Sequence, residues 1–170
     1  MLRVDLRELA RGPVETRGEL TQDDLALEGT EIQLKEPVVI GGRLQSIGEG
    51  RFYWQGTATT AIAGECRRCL TPLSTPLSLQ IGALFSQDSE ALDDPDAYPV
   101  APDATEVDVT PAVREELVLA APQYEVCRAD CKGLCPQCGK DLNAGACGCA
   151  PTTDLRWQPL KALKDKLRSN

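Results

Sequence analysis

Cys127-Arg128-Ala129-Asp130-Cys131-Lys132-Gly133-Leu134-Cys135-Pro136-Gln137-Cys138 carries four thiols, Cys147-Gly148-Cys149 follows with two more, and Cys66-Arg67-Arg68-Cys69 lies upstream. Together they hold all eight cysteines of the 170-residue chain. How these thiols divide decides the fold, because one grouping is local and the other ties distant segments together. A Cys-x2-Cys turn can direct two sulfurs at one ion with zinc–sulfur bonds of about 2.3 Å, and eight thiolates suffice for two closed tetrahedral sites.

Spacing suggests the division. Only Lys132-Gly133-Leu134 separates Cys131 from Cys135, which leaves little chain for the two flanking pairs to face each other across one ion. The spacing predicts a local site of Cys135, Cys138, Cys147 and Cys149, with Gly139, Gly145 and Gly148 available for the turns of a zinc-ribbon-like segment. Cys66, Cys69, Cys127 and Cys131 are left for a second site that closes the 57-residue interval between Cys69 and Cys127. The expected cofactor is zinc, two ions with four Cys ligands each. Structural zinc contributes on the order of 10–16 kcal/mol in small peptides, so chelation at neutral pH is expected to loosen or unfold the chain.

Outward from the first Cys-x2-Cys pair, the chain reads as β-rich. Pro37 to Ile47 and Arg51 to Ala63 flank Gly48-Glu49-Gly50, a hairpin signal. Leu73, Leu77, Leu79, Ile81, Ala83 and Phe85 recur at even spacing, as in a strand with one buried face, so Cys66–Cys69 sits at a strand-to-strand reversal. Residues 86–104 read as a solvated acidic loop. A helix over 110–121 follows, with Thr110 as N-cap, Pro111 in the first turn, Pro122 as the stop, and Val113, Leu117 and Ala120 toward the core. Trp157 to Arg168 reads as an amphipathic capping helix, with Leu160, Leu163 and Leu167 on one face and Lys161, Lys164 and Arg168 on another.

The expected fold class is α+β: a β-rich body, barrel-like or a curved antiparallel sheet, with two or three short helices and a cysteine-rich zinc-ribbon-like segment. The expected division is a body over 1–126 that includes the Cys-x2-Cys turn and the helix, a zinc segment over 127–150, and a basic helix over 151–170.

Function classes narrow from composition. Histidine is absent, which removes the commonest general base, any Cys-His dyad and any mixed Cys-His zinc site, and no Gly-x4-Gly-Lys-Ser/Thr phosphate loop occurs. A non-enzymatic role is expected. The charged N-terminus lacks a secretory apolar run, and a cytoplasmic, non-membrane protein is expected; in a reducing compartment clustered cysteines bind metal more often than they form disulfides. A thiol–zinc redox sensor with chaperone-like activity and a zinc-ribbon transcription-associated factor are the alternatives. The latter lacks a basic recognition helix among the cysteines.

The formal charge is −8, with ten acidic residues against one Arg in 86–116 and five basic residues against two acidic in 151–170. Two four-thiolate zinc sites would carry it to about −12. Such a chain does not read as a general nucleic-acid binder. Arg67, Arg68, Arg128, Lys132, Arg156, Lys161, Lys164 and Arg168 are the candidate contacts to RNA or a partner protein.

Four blocks resemble one family: Glu65-Cys66-Arg67-Arg68-Cys69-Leu70; Val113-Arg114-Glu115-Glu116-Leu117-Val118-Leu119 with Pro122; Cys131 to Gly139 with Leu142-Asn143 and Cys147-Gly148-Cys149; and Asp154-Leu155-Arg156-Trp157 with Leu160. Their order and spacing are similar to the YceD family of bacterial and plastid large ribosomal RNA subunit accumulation proteins. The resemblance implies a role in synthesis, processing or stability of large-subunit ribosomal RNA without an assigned catalytic activity. The implied partners are a ribosome-assembly or RNA-processing protein and pre-ribosomal RNA.

Overall fold

The computed structural model describes residues 2–88, 97–150 and Arg156. Three long segments of alternating polarity form its centre: β3 (Val38–Gly48), β4 (Arg51–Glu65) and β5 (Pro72–Ser86). Glu49-Gly50 joins the first two, with Gly50 in the left-handed region at φ 65° and a register shift between Ser46 and Gly48 that absorbs one residue. β5 follows β4 across Cys66–Thr71, so the first Cys-x2-Cys pair does occupy a hairpin tip.

Four short strands complete the architecture: β1 (Arg3–Asp5), β2 (Val14–Leu20), β6 (Ala97–Pro99) and β7 (Glu106–Asp108). The main sheet has the order β2-β3-β4-β5-β6, antiparallel except for the parallel β5–β6 pair, and β1 and β7 make a separate antiparallel ribbon. Of the two body shapes expected, the open sheet is the one found. Part of the anticipated acidic loop is ordered as β6, because Tyr98 stacks on Phe85 at 5.2 Å between ring centroids and Val100 N–H donates to the Ser86 carbonyl.

Inward residues of the three long strands alternate as the pleat requires. Val38, Ile40, Leu44, Trp54, Ala58, Ile81, Ala83 and Phe85 are buried, whereas the inward positions of β5 nearer the cysteines, Leu73, Leu77 and Leu79, are half-buried. Trp54 is the largest buried side chain. Its indole lies against Gly42 and Gly56, which face each other across β3 and β4, and a Cβ on Gly56 would meet the ring at 2.5 Å. Trp54 Nε1 donates to Thr16 Oγ1 at 2.8 Å, which pins edge strand β2 to the centre of the sheet.

Helix α1 (Thr110–Ala120) packs against β5 through Ala112, Val113 and Leu117, all buried. Ala120 is half-buried, and burying a side chain such as Leu117 contributes about 1.5–3 kcal/mol. Thr110 is the first helical residue rather than the cap; Val109 holds the cap position and makes no side-chain bond there. Asp108 takes over the capping role, since its Oδ1 accepts from Thr110 N–H at 2.9 Å. Two 3-10 turns, Glu8–Arg11 and Leu25–Leu27, lie earlier in the chain. The helix expected over 157–168, with Lys161, Lys164 and Arg168, lies outside the described residues.

The β4–β5 hairpin runs beyond the end of β3, and a short segment supports it there. Lys35 N–H donates to Ala61 O and Ala63 N–H to Gln33 O, both at 2.8 Å. Gln22 finishes that edge: its Oε1 accepts from Leu34 N–H and its Nε2 donates to Ile32 O. One carboxamide thus satisfies the two backbone groups that an added strand would use.

Candidate metal centres

The two Cys-x2-Cys turns fold alike although one ends a strand and the other sits in a loop. In the first, Leu70 N–H donates to Cys66 O and Cys66 N–H to Thr71 O, both at 2.9 Å. In the second, Gly139 N–H donates to Cys135 O at 2.9 Å and Cys135 N–H to Lys140 O at 2.8 Å. Each turn is therefore a knuckle that brings its two sulfurs to one side.

Each knuckle meets a second pair of thiols. Residues 123–127 lie along the hairpin tip: Arg67 N–H donates to Glu125 O, Arg67 Nε to Gln123 O, and Thr75 Oγ1 to Glu125 Oε1. This contact delivers Cys127 and Cys131 to Cys66 and Cys69. Within that quartet the four sulfurs all lie within 4.8 Å of one another; Cys66 and Cys131 Sγ are 3.8 Å apart, and Cys69 and Cys127 Sγ 3.6 Å. The sulfurs of Cys135, Cys138, Cys147 and Cys149 form the second quartet within the same limit. These are the groupings that the spacing predicts. Cys66, Cys131 and Cys135 are buried, Cys69, Cys147 and Cys149 half-buried, and Cys127 and Cys138 exposed as residues with their sulfurs turned into the quartets.

The donor set fits a tetrahedral ion. Four sulfurs at about 2.3 Å from a common centre stand about 3.8 Å apart, which matches the separations observed. The eight thiols could hold two metal ions, each cross-linking two stretches of chain. Backbone N–H groups prepare thiolates on the first cysteine of each knuckle. The Cys127 N–H above all, with those of Arg68 and Cys69, brings Cys66 down to about 6 against the opposing effect of burial. The N–H groups of Cys138 and Gln137 do the same for Cys135, also to about 6. Their neighbours retain protons more strongly: burial and the surrounding sulfurs push Cys127 up to about 12, and the Cys138 sulfur and burial push Cys149 up to about 11. Four negative sulfurs at this spacing repel one another, and a divalent cation is the natural counter-charge.

Several of the basic side chains expected to face RNA or a partner have local contacts. Arg68 Nη1 donates to Cys131 O at 2.9 Å and Ala129 O at 3.2 Å, and so brackets the loop that carries two thiols. The Arg67 guanidinium stacks over the Tyr124 ring at 4.4 Å. Arg128 Nη2 donates to Asn143 Oδ1, and its Nε lies 3.4 Å from Asp130 Oδ1. Lys132 is exposed, and Arg156 is exposed as well. Asn143 and Glu125 are structural partners that cysteine spacing cannot find; for Asn143 the available signal is the Leu142-Asn143 pair in the family-like block.

Residues 54–164, more than half of the chain and a span containing all eight thiols, match the profile of the family described as large ribosomal RNA subunit accumulation protein YceD. The chain belongs to the YceD family. Among curated relatives, an uncharacterised protein of Mycobacterium tuberculosis is 33% identical over 121 residues, covering 69% of this chain and 58% of the relative. The chloroplastic large ribosomal RNA subunit accumulation protein YCED homolog 1 of Arabidopsis thaliana is 26% identical over 170 residues, 83% of this chain and 51% of the relative. The uncharacterised protein YlbN of Bacillus subtilis is 28% identical over 121 residues, 70% of this chain and 69% of the relative. This chain therefore spans little more than half the length of the mycobacterial and plastid relatives it matches. No solved structure gives a significant match. No helix among the described residues is long and apolar enough to cross a membrane.

Proposed function

We propose that this YceD-family chain is a non-enzymatic accessory factor in large-subunit ribosomal RNA synthesis, processing or stability, held in shape by two structural zinc ions. The observation that carries the reading is the pair of histidine-free thiol quartets lying wholly inside the family-matched residues. Zinc suits them because thiolate is a soft ligand and each site closes with four donors, leaving no position for a reacting water. Cys66, Cys69, Cys127 and Cys131 would hold one ion, and Cys135, Cys138, Cys147 and Cys149 the other. The role would be exercised in the cytoplasm.

The chain acts as an adaptor to a ribosome-assembly or RNA-processing protein, with pre-ribosomal RNA close by. Two features favour protein over RNA as the direct contact: the formal charge of −8, and the commitment of Arg67, Arg68 and Arg128 to local acceptors. Lys132, Arg156, Lys161, Lys164 and Arg168 are candidate contacts of either partner. Isolation of tagged protein from growing cells, with bound protein, RNA and metal identified together, tests this. A large-subunit precursor component that stays bound as salt is raised supports the adaptor; direct RNA binding weakens steeply with salt. Recovery of the folded protein without any large-subunit precursor component would refute the reading.

A further inference from the structure

The two quartets meet at one side chain. Asn143 belongs to the loop between Cys138 and Cys147, yet most of its contacts are to the other quartet's loop. Its Oδ1 accepts from Arg128 Nη2 and from Lys132 N–H, each at 2.9 Å, and its Nδ2 approaches Cys131 Sγ at 3.5 Å. Asp141 Oδ1 fixes the carboxamide by accepting from Asn143 Nδ2 at 2.7 Å and from Asn143 N–H at 2.8 Å. That second anchor decides which way the amide points, because a carboxylate can only accept and so demands the nitrogen on its side. The same nitrogen is thereby offered to the Cys131 sulfur.

Backbone bonds hold the joint in register. Leu142 N–H donates to Gly133 O and Leu134 N–H to Arg68 O, both at 2.9 Å, and Leu134 bridges Asp141. Gly133, at φ 72°, leaves no room for a Cβ, which would meet Arg68 O at 2.8 Å. The Cys131–Cys135 linker is thus clamped between the hairpin knuckle and the local loop.

We propose that Asn143 is a positioning residue through which the local quartet, Cys135 to Cys149, organises the long-range quartet, so that metal in the local site strengthens metal binding at Cys66, Cys69, Cys127 and Cys131. The local quartet closes within one short loop, whereas the other must bring Cys127 and Cys131 back to the hairpin. Once the local loop is shaped, Asn143 holds the backbone and side chain of the 128–132 segment and donates to a ligand sulfur. An N–H bond to a metal-bound thiolate withdraws charge from it and fixes its direction. Coupling of this kind is reciprocal, so metal at the long-range site strengthens the local site by the same factor. The inference rests on the proposed two-metal reading.

The test titrates the full chain with Co²⁺, and then with Zn²⁺ against chelators of graded strength, in four proteins: wild type, Asn143→Ala, Cys147→Ser/Cys149→Ser, and the three substitutions combined. Near-ultraviolet circular dichroism of the aromatic side chains, buried Trp54 among them, verifies in each metal-loaded protein that the body is folded. Wild type should bind two ions. Asn143→Ala should still bind two, with the long-range site weakened on the order of 10–100-fold and its sulfur-to-cobalt charge-transfer band shifted, a change that general loss of stability does not produce. Disabling the local quartet should weaken the long-range site likewise, and adding Asn143→Ala to it should cost little more, since the two act through one path. Two ions bound with unchanged affinities and unshifted bands in Asn143→Ala would overturn the coupling alone. Failure of folded wild type to bind metal would overturn the two-metal reading and the coupling with it.

Discussion

Leu70 stands at φ 59° in the turn position that Gly139 fills at φ 71° in the second cysteine knuckle. Both donate the same backbone bond to the first cysteine of their turn. A left-handed conformation costs a residue with a Cβ about 1–2 kcal/mol, and the Leu70 side chain, 57% exposed, recovers little of that by burial. Leu70→Gly is therefore expected to raise stability by about 0.5–1 kcal/mol, after allowing for the greater freedom of glycine in the unfolded chain. Urea unfolding with metal content held constant measures this; an unchanged or lowered midpoint would mean that Leu70 makes compensating contacts.

Thr16 and Trp54 form the polar contact inside the sheet. Thr16→Val keeps the shape but leaves the indole N–H buried without an acceptor, a loss of about 1–3 kcal/mol. Gly56→Ala should be worse, because the added methyl meets the Trp54 ring and the Gly41 carbonyl together. Both variants should keep their metal stoichiometry when folded, which metal analysis beside urea denaturation checks.

Arg68 and Lys132 are neighbours of the long-range quartet with different duties. Arg68→Ala removes the donor to Ala129 and Cys131 carbonyls and should speed metal loss to a chelator several-fold, while Lys132→Ala should leave that rate unchanged. Stopped-flow chelation distinguishes them. Equal rates for wild type and Arg68→Ala would show the bracket to be dispensable.

Asp108 links β1 to the start of α1. Burial pushes its carboxyl up, but hydrogen bonds from Thr110 and Arg3 outweigh this and hold it below its ordinary value of 3.8. A lowered folded pKa stabilises the protein fully above the ordinary value and is lost as pH falls through the folded one. Asp108→Asn should thus reduce stability by about 0.5–1 kcal/mol at pH 7, the side chain being partly exposed and its ion pair screened. The gap between wild type and variant should stay constant down to about pH 5 and shrink below about pH 4. Urea midpoints of the two proteins across this range, compared pairwise so that acid release of metal affects both, give the answer.

Much of this arrangement is legible in the residues themselves. Alternation through Leu73–Phe85 locates the hairpin tip, and the three residues between Cys131 and Cys135 suggest the grouping of the thiols, because both depend on local chain geometry. Strand β6 is hidden, since three residues paired with the end of β5 carry no periodic signal. The capping by Asp108 in place of Thr110, the Thr16–Trp54 bond and the turning of Arg68 toward backbone carbonyls depend on side-chain directions set only in the folded chain. Asn143 belongs to the same class: its importance arises from where the second loop lands on the first.

The most direct test of the account is the metal content of the folded protein, read by elemental analysis alongside circular dichroism before and after exposure to a strong chelator at neutral pH. Two zinc ions per chain are expected, with loss of the near-ultraviolet aromatic signal when they are removed. A stable, folded protein with metal content near zero would contradict it.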